Sequence, residues 1–426
     1  MSGTENTAGV HLVGSIGLDT VEDIFRVVGK ELGPHLRRVP DGEVGGRRLW
    51  ISWQYPLLRA SVFLRPDPSG AVRATNRFQL LTLAEGVAPS DVRFGELGHA
   101  REARASYLDF VTARDNGELP KGIRFQVCLP TPFAAAGSVV VADALAAVEA
   151  AYERAMIAEV AALCRHIPHR DLCIQWDVCN EMVVWDGQKS DAVPHAGEPR
   201  EKLVERMQRL CAGIPDDVEL GLHLCYGDFG ARHFVEPKDA AKMVEFANAL
   251  SKAIAHPLAY IHMPVPMSRS DDAFYQPLRD LKLDPATQLY LGVVHAGDGV
   301  AGAKARIAAA RRYVPTFGIA TECGMARAFG RDGAGAPQNP RRRARGTLGG
   351  RYGGFVSRFA LLHLCRARGG RERPELAEPP DPIDRSDRAR CRDRRDGAAP
   401  GGRCLAQPRP AGCRREHARR LGHCRP

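Results

Sequence analysis

Residues 172–181 read LCIQWDVCNE. The first seven, Leu172–Val178, form a mainly apolar run without polar alternation, and Asp177, Cys179, Asn180 and Glu181 crowd its end. A strand with one solvated face alternates, whereas a continuous run of this length is what a strand buried on both faces shows. Seven similar runs recur at 11–16, 36–40, 123–129, 218–226, 258–265, 288–295 and 317–321. Segments with helical spacing lie between them. Residues 19–32 open on an Asp–Thr cap signal and place Val21, Ile24, Phe25 and Val28 on one face; 142–165, 201–211, 238–255 and 301–313 follow the same logic. Strand–helix alternation predicts an α/β protein with a parallel sheet, and eight units predict closure into a (β/α)8 TIM barrel. Residues 50–120, between the second and third runs, read as an insertion with helices of its own.

The chain of 426 residues has a formal charge of +10, but the charge is unevenly placed. Residues 331–426 hold 24 Arg, no Lys and 10 acidic residues, which leaves 36 basic and 40 acidic residues in 1–330. The barrel is therefore mildly acidic, and the basic balance is no sign of a nucleic-acid-binding body. The sequence divides into a catalytic barrel, 1–330, and a basic low-complexity tail, 331–426. That tail reads as disordered or, preferably, as translated out of frame, since Arg, Gly, Ala and Pro dominate GC-rich DNA read in the wrong frame. On the second reading the helix expected after Cys323 is lost. No run reaches the ~18 apolar residues that span a bilayer. The start, MSGTENTAGV, lacks the charged and apolar regions of a signal peptide. A cytoplasmic protein without a membrane partner is expected, its cysteines reduced, in the core or binding metal.

Catalytic groups of such barrels gather at the C-terminal ends of the strands. Read in order, those ends offer Ser15, Asp41 and Glu43, Asp177, His223 and Cys225, His262, His295, then Glu322 and Cys323. His223 and Cys225 are two apart, so on a strand both face the same way. Cys323 ends the eighth run and can reach the same axis. Two thiolates and an imidazole suit Zn2+, with one position left for substrate. Core packing of the three is the competing reading of that spacing. For Glu43 the competing reading is a rim salt bridge with Arg47 or Arg48. Trp176 and Trp185 read as core residues before they read as a stacking surface.

Six segments in this order resemble the C-terminal catalytic domain of cobalamin-independent methionine synthase, in the uroporphyrinogen decarboxylase/methionine synthase-like superfamily. GLHLCYGDF and ATECGMAR resemble its zinc-binding segments, HLVGSIG its opening strand, PDGEVGGR its H-G-E-x-x-R segment, IQWDVCNE its I-D-E-P-A-L segment, and LYLGVVHAGDG its seventh strand. The resemblance spans about residues 10–328. It implies zinc on His223, Cys225 and Cys323, and a homocysteine-like thiol held by Ser15, Glu43 and Asp177. It places His295 as the acid, with Asp177 also in the catalytic set, and a reduced folate as methyl donor. One ligand departs from the pattern: if SRS at 268–270 is aligned with the family's Ser-Arg-Ser, Pro266 stands where the family has a Glu. His262, Asp271, Asp272 and a water molecule are the candidate replacements. The expected function is zinc-dependent thiol methyl transfer in methionine biosynthesis. The alternatives are an alkyltransferase for another thiol or donor, resembling epoxyalkane:coenzyme M transferase, and a defective member of the family.

Overall fold

A computed structural model describes residues 9–326 apart from 74–76, 191, 194–196 and 229–231. The proposed tail, and the helix expected after Cys323, lie outside the described residues.

Eight parallel strands form the barrel. They are β1 (Val10–His11), β2 (Arg38–Pro40), β5 (Arg124–Pro130), β6 (Leu172–Val178), β7 (Glu219–Leu224), β8 (Leu258–Pro264), β9 (Gln288–Val294) and β10 (Gly318–Thr321), hydrogen-bonded in the order β1-β10-β9-β8-β7-β6-β5-β2. A single parallel bridge, Val10 to Leu36, closes the ring. Each run found in the sequence yields one barrel strand. The first is far shorter than its run because residues beyond His11 leave the ladder. The Ile16 amide donates to Gly42 O, and Ser15 O accepts from the Met325 amide at 2.7 Å.

The outer layer includes α1 (Val21–Leu32), α3 (His99–Asp115), α5 (Ala142–His166), α7 (Arg200–Cys211), α8 (Ala241–Ala253) and α10 (Gly299–Arg311). In α1 the Thr20 hydroxyl accepts from the Asp23 amide, while Val21, Ile24, Phe25, Val28 and Leu32 are buried. That is the expected capped, amphipathic pattern, with the cap on Thr20. The insertion holds α2 (Tyr55–Arg59) and α3. It also holds an antiparallel pair, β3 (Leu64–Pro66) with β4 (Leu81–Leu83), which the sequence reading had not separated from helix. Shorter helices α4 (Pro132–Gly137), α6 (Asn180–Asp186) and α9 (Asp272–Tyr275) follow strand ends.

The barrel interior holds a polar network beside the apolar cluster of Val13, Cys173, Tyr260, Tyr290 and Ala320. The Gln175 carbonyl oxygen lies 3.0 Å from His11 Nε2 and accepts from Tyr260 OH at 2.9 Å. The Gln175 amide nitrogen donates to Val13 O and to Asp177 Oδ1. At the opposite end Arg38, 4 % exposed, pairs with Glu219 and lies over the Tyr260 ring. Buried polar groups are tolerated because they satisfy one another. This network fixes Asp177 from below. No helix among the described residues is long and apolar enough to cross a membrane.

Candidate metal centre and substrate site

β7 delivers His223 inside its ladder, opposite Asp177 of β6 and His262 of β8. Cys225 lies one residue beyond β7, yet its amide still donates to Val178 O at 3.1 Å, so strand alternation persists through it. Cys323 lies two residues beyond β10. The ligand atoms of His223, Cys225 and Cys323 all fall within 4.8 Å of one another. The two sulfurs are 3.9 Å apart, and Cys323 Sγ is 3.6 Å from His223 Nε2. Tetrahedral zinc with Zn–S of about 2.3 Å and Zn–N of about 2.05 Å requires roughly 3.8 Å between sulfurs and 3.6 Å from sulfur to nitrogen. The two spacings match the ion, and the third falls within 4.8 Å, so the donor set suits it.

The Cys179 thiol hydrogen-bonded to Cys225, together with burial, pushes the Cys225 thiol well above its ordinary value, although the Cys323 contact opposes this. An uncompensated thiolate is costly here, and a divalent cation is the natural compensation. The Gly227 amide adds a donor to Cys225 Sγ at 3.3 Å.

Among the described residues no carboxylate joins this group. Asp271 caps α9 and pairs with Arg269, while Asp272 pairs with Arg312, so neither replaces the family's Glu. His262 is also no member of the ligand group. Its Nδ1 lies 2.7 Å from His223 Nδ1, and its Nε2 lies 3.0 Å from Thr321 O. Burial lowers the His262 pKa to about 3.

A second cluster surrounds Cys128 on β5. Its thiol donates to Val13 O, and burial followed by the nearby Asp177 and Glu43 carboxylates raises its pKa well above the usual value. Asp177 Oδ2 accepts from Trp50 Nε1 at 3.1 Å. Glu43 reaches over the first strand's exit: a Cβ added to Gly14 would sit 2.8 Å from Glu43 Oε1. Against burial, and with Asp41 ahead of it, the Glu43 carboxylate helps to raise the Arg47 pKa, and the salt bridges of this rim add two further pairs. Arg47 bonds Asp41 at 2.8 Å, and Arg48 bonds Asp19. Glu43 and Trp50 both have left-handed backbone, with φ of 51° and 54°. Such conformations are sparsely populated for non-glycine residues and concentrate at functional sites. Ser15 lies between the clusters, its hydroxyl buried against Gly324.

His295, one residue past β9, donates its Nε2 proton to Val265 O and turns Nδ1 toward Glu322 at 3.6 Å. Burial lowers its pKa, with Glu322 acting in opposition. The other Glu322 oxygen pairs with His233 Nε2 at 2.8 Å. Burial alone would depress His233, but Glu322 and Glu236 outweigh it and raise the pKa to about 9. His233, His295, Glu322 and Cys323 line a cavity of about 570 Å³ beside the metal group. His233 was missed by the sequence reading because it stands in an irregular segment after β7, where no periodicity marks it. Trp50 was missed for the same reason. Trp176 is fully buried and Trp185 stacks on Phe246, both as core residues.

No family model and no curated protein matches the sequence. Among solved structures, the chain is similar to the Listeria monocytogenes protein described as "Putative Vitamin-B12 Independent Methionine Synthase". Identity is 14%, the TM-score is 0.43, and the match covers 82% of this chain and 87% of that one. At that level the likeness carries no assignment of chemistry.

Proposed function

We propose that the barrel is a zinc-dependent S-methyltransferase that alkylates homocysteine or a similar small thiol, with a reduced folate as methyl donor. The observation that carries this reading is the convergence of one His223 ring nitrogen and the Cys225 and Cys323 sulfurs within 4.8 Å of one another. Zinc, when bound, lowers the pKa of a substrate thiol and presents it as a thiolate at neutral pH. The six-segment resemblance supports the substrate class.

The chain's own residues supply the rest. Asp41, Glu43 and Asp177 gather negative charge around Cys128, and Arg47 partly balances it through Asp41. This environment favours an ammonium group, so Glu43 and Asp177 hold the amino end of the thiol substrate. Ser15, whose backbone is tied to Met325, borders the same site. His295 faces the cavity beside Cys323, and a proton taken up at its Nδ1, which Glu322 favours against burial, would make it the acid for the leaving group.

The test is product analysis with homocysteine and, in separate reactions, methyltetrahydrofolate, methylcobalamin and an epoxide. The expected result is a methyl thioether from the folate reaction, abolished in Cys225→Ser. Alkylation only by the epoxide would overturn the methyltransferase reading. Failure of every donor with zinc-loaded protein would overturn thiol alkylation as a whole.

A further inference from the structure

We infer that His262 is a positioning residue that selects the metal-binding nitrogen of His223, and that it does so through Thr321. The inference rests on the zinc site proposed above, but on no particular substrate. Three contacts carry it. His262 Nε2 lies 3.0 Å from the Thr321 carbonyl oxygen, which can only accept, so the proton of this bond belongs to Nε2. Neutral His262 then presents a lone pair at Nδ1. The facing nitrogen, 2.7 Å away, is His223 Nδ1, which must donate. The proton of His223 is thereby fixed on Nδ1, and Nε2 is left with its lone pair toward Cys323 Sγ at 3.6 Å. Both imidazoles are buried, at 2 % and 0 % exposure, so water does not compete for these bonds.

Metal-binding histidines commonly donate their second nitrogen to a carboxylate, a backbone carbonyl or water. Here an imidazole takes that place and passes the bond to a carbonyl. The acceptor belongs to the strand that leads to Cys323. The Thr321 hydroxyl also donates to Cys323 O at 2.7 Å. One chain of hydrogen bonds thus joins His223, on β7, through β8, to the segment that sets Cys323. It orients two ligands from different strands together.

The test is zinc affinity by chelator competition for the full chain, its His262→Phe variant and its His262→Asn variant. Phe keeps a ring and removes both polar atoms, whereas Asn places an acceptor near the position of Nδ1. The expected result is affinity roughly 10- to 100-fold weaker in His262→Phe, with most of the loss recovered in His262→Asn. Long-range proton–nitrogen correlation on the wild type provides a readout independent of folding in the variants. It is expected to show His223 protonated at Nδ1 and His262 at Nε2. Wild-type affinity in the Phe variant, an Asn variant as weak as Phe, or a proton on His223 Nε2 in the metal-free protein would each overturn the inference. A wild type that binds no zinc would overturn the metal site with it. A zinc-binding wild type that alkylates no thiol would overturn only the proposed function.

Discussion

His233 offers a direct test of how the cavity beside the metal group is held together. Its imidazole lies between Glu322, at 2.8 Å, and Glu236, at 3.1 Å, with a side chain only 7 % exposed. His295 faces the other Glu322 oxygen. Burial opposes the charge, the two carboxylates prevail, and the pKa rises to about 9 from an ordinary 6.5. A folded-state pKa above the unfolded value means that the native protein binds the proton more tightly. The stabilisation is therefore fully present below pH 6.5 and disappears as pH rises through about 9. A shift of this size corresponds to roughly 3 kcal/mol at most, at about 1.4 kcal/mol per unit. His233→Gln keeps a donor toward Glu322 but cannot be protonated. Urea unfolding from pH 6 to 10, with chelator throughout so that proton release by metal binding makes no contribution, should show the two proteins converging. Wild type is expected to exceed the variant by up to roughly 3 kcal/mol at pH 6 and to lose most of that margin by pH 10. Parallel curves across the range would refute the ion-pair account of His233.

Two further outcomes follow from the site. Asp177→Asn and Glu43→Gln should each weaken homocysteine binding by about 10- to 100-fold, the scale of a lost charged hydrogen bond, with zinc content unchanged. Calorimetric titration giving wild-type affinity in both would remove the amine-binding role. A Cβ at position 324 would meet Ser15 Oγ at 2.1 Å, so Gly324→Ala should destabilise the protein by about 1–3 kcal/mol and reduce zinc occupancy through the adjacent Cys323. Ser15→Ala in the same chain should restore part of both, and a fully stable single variant would contradict the packing described.

Most of the barrel was legible because its strands are buried on both faces. Hydrophobic continuity at LCIQWDV and its seven counterparts records that burial directly. The cap at Thr20 was legible because a hydroxyl before an apolar helical stripe has a local meaning. His223 and Cys225 could be paired from strand alternation, but Cys323 could be added only from its place at another strand end. The β3–β4 pair was hidden because its strands are three residues long and partly exposed. The network of His11, Gln175 and Tyr260 was hidden because polar residues within apolar runs carry no sign of their partners. His262 stood among the possible ligands, and only the structure shows its two nitrogens committed to His223 and Thr321.

The measurement that bears most directly on the metal centre is elemental analysis of the purified protein beside Cys225→Ser and Cys323→Ser. The geometry predicts about one zinc per chain in the wild type, with marked loss in each variant while the barrel stays folded. Zinc content unchanged in both variants, or a folded wild type without zinc even after incubation with the metal, would contradict the site.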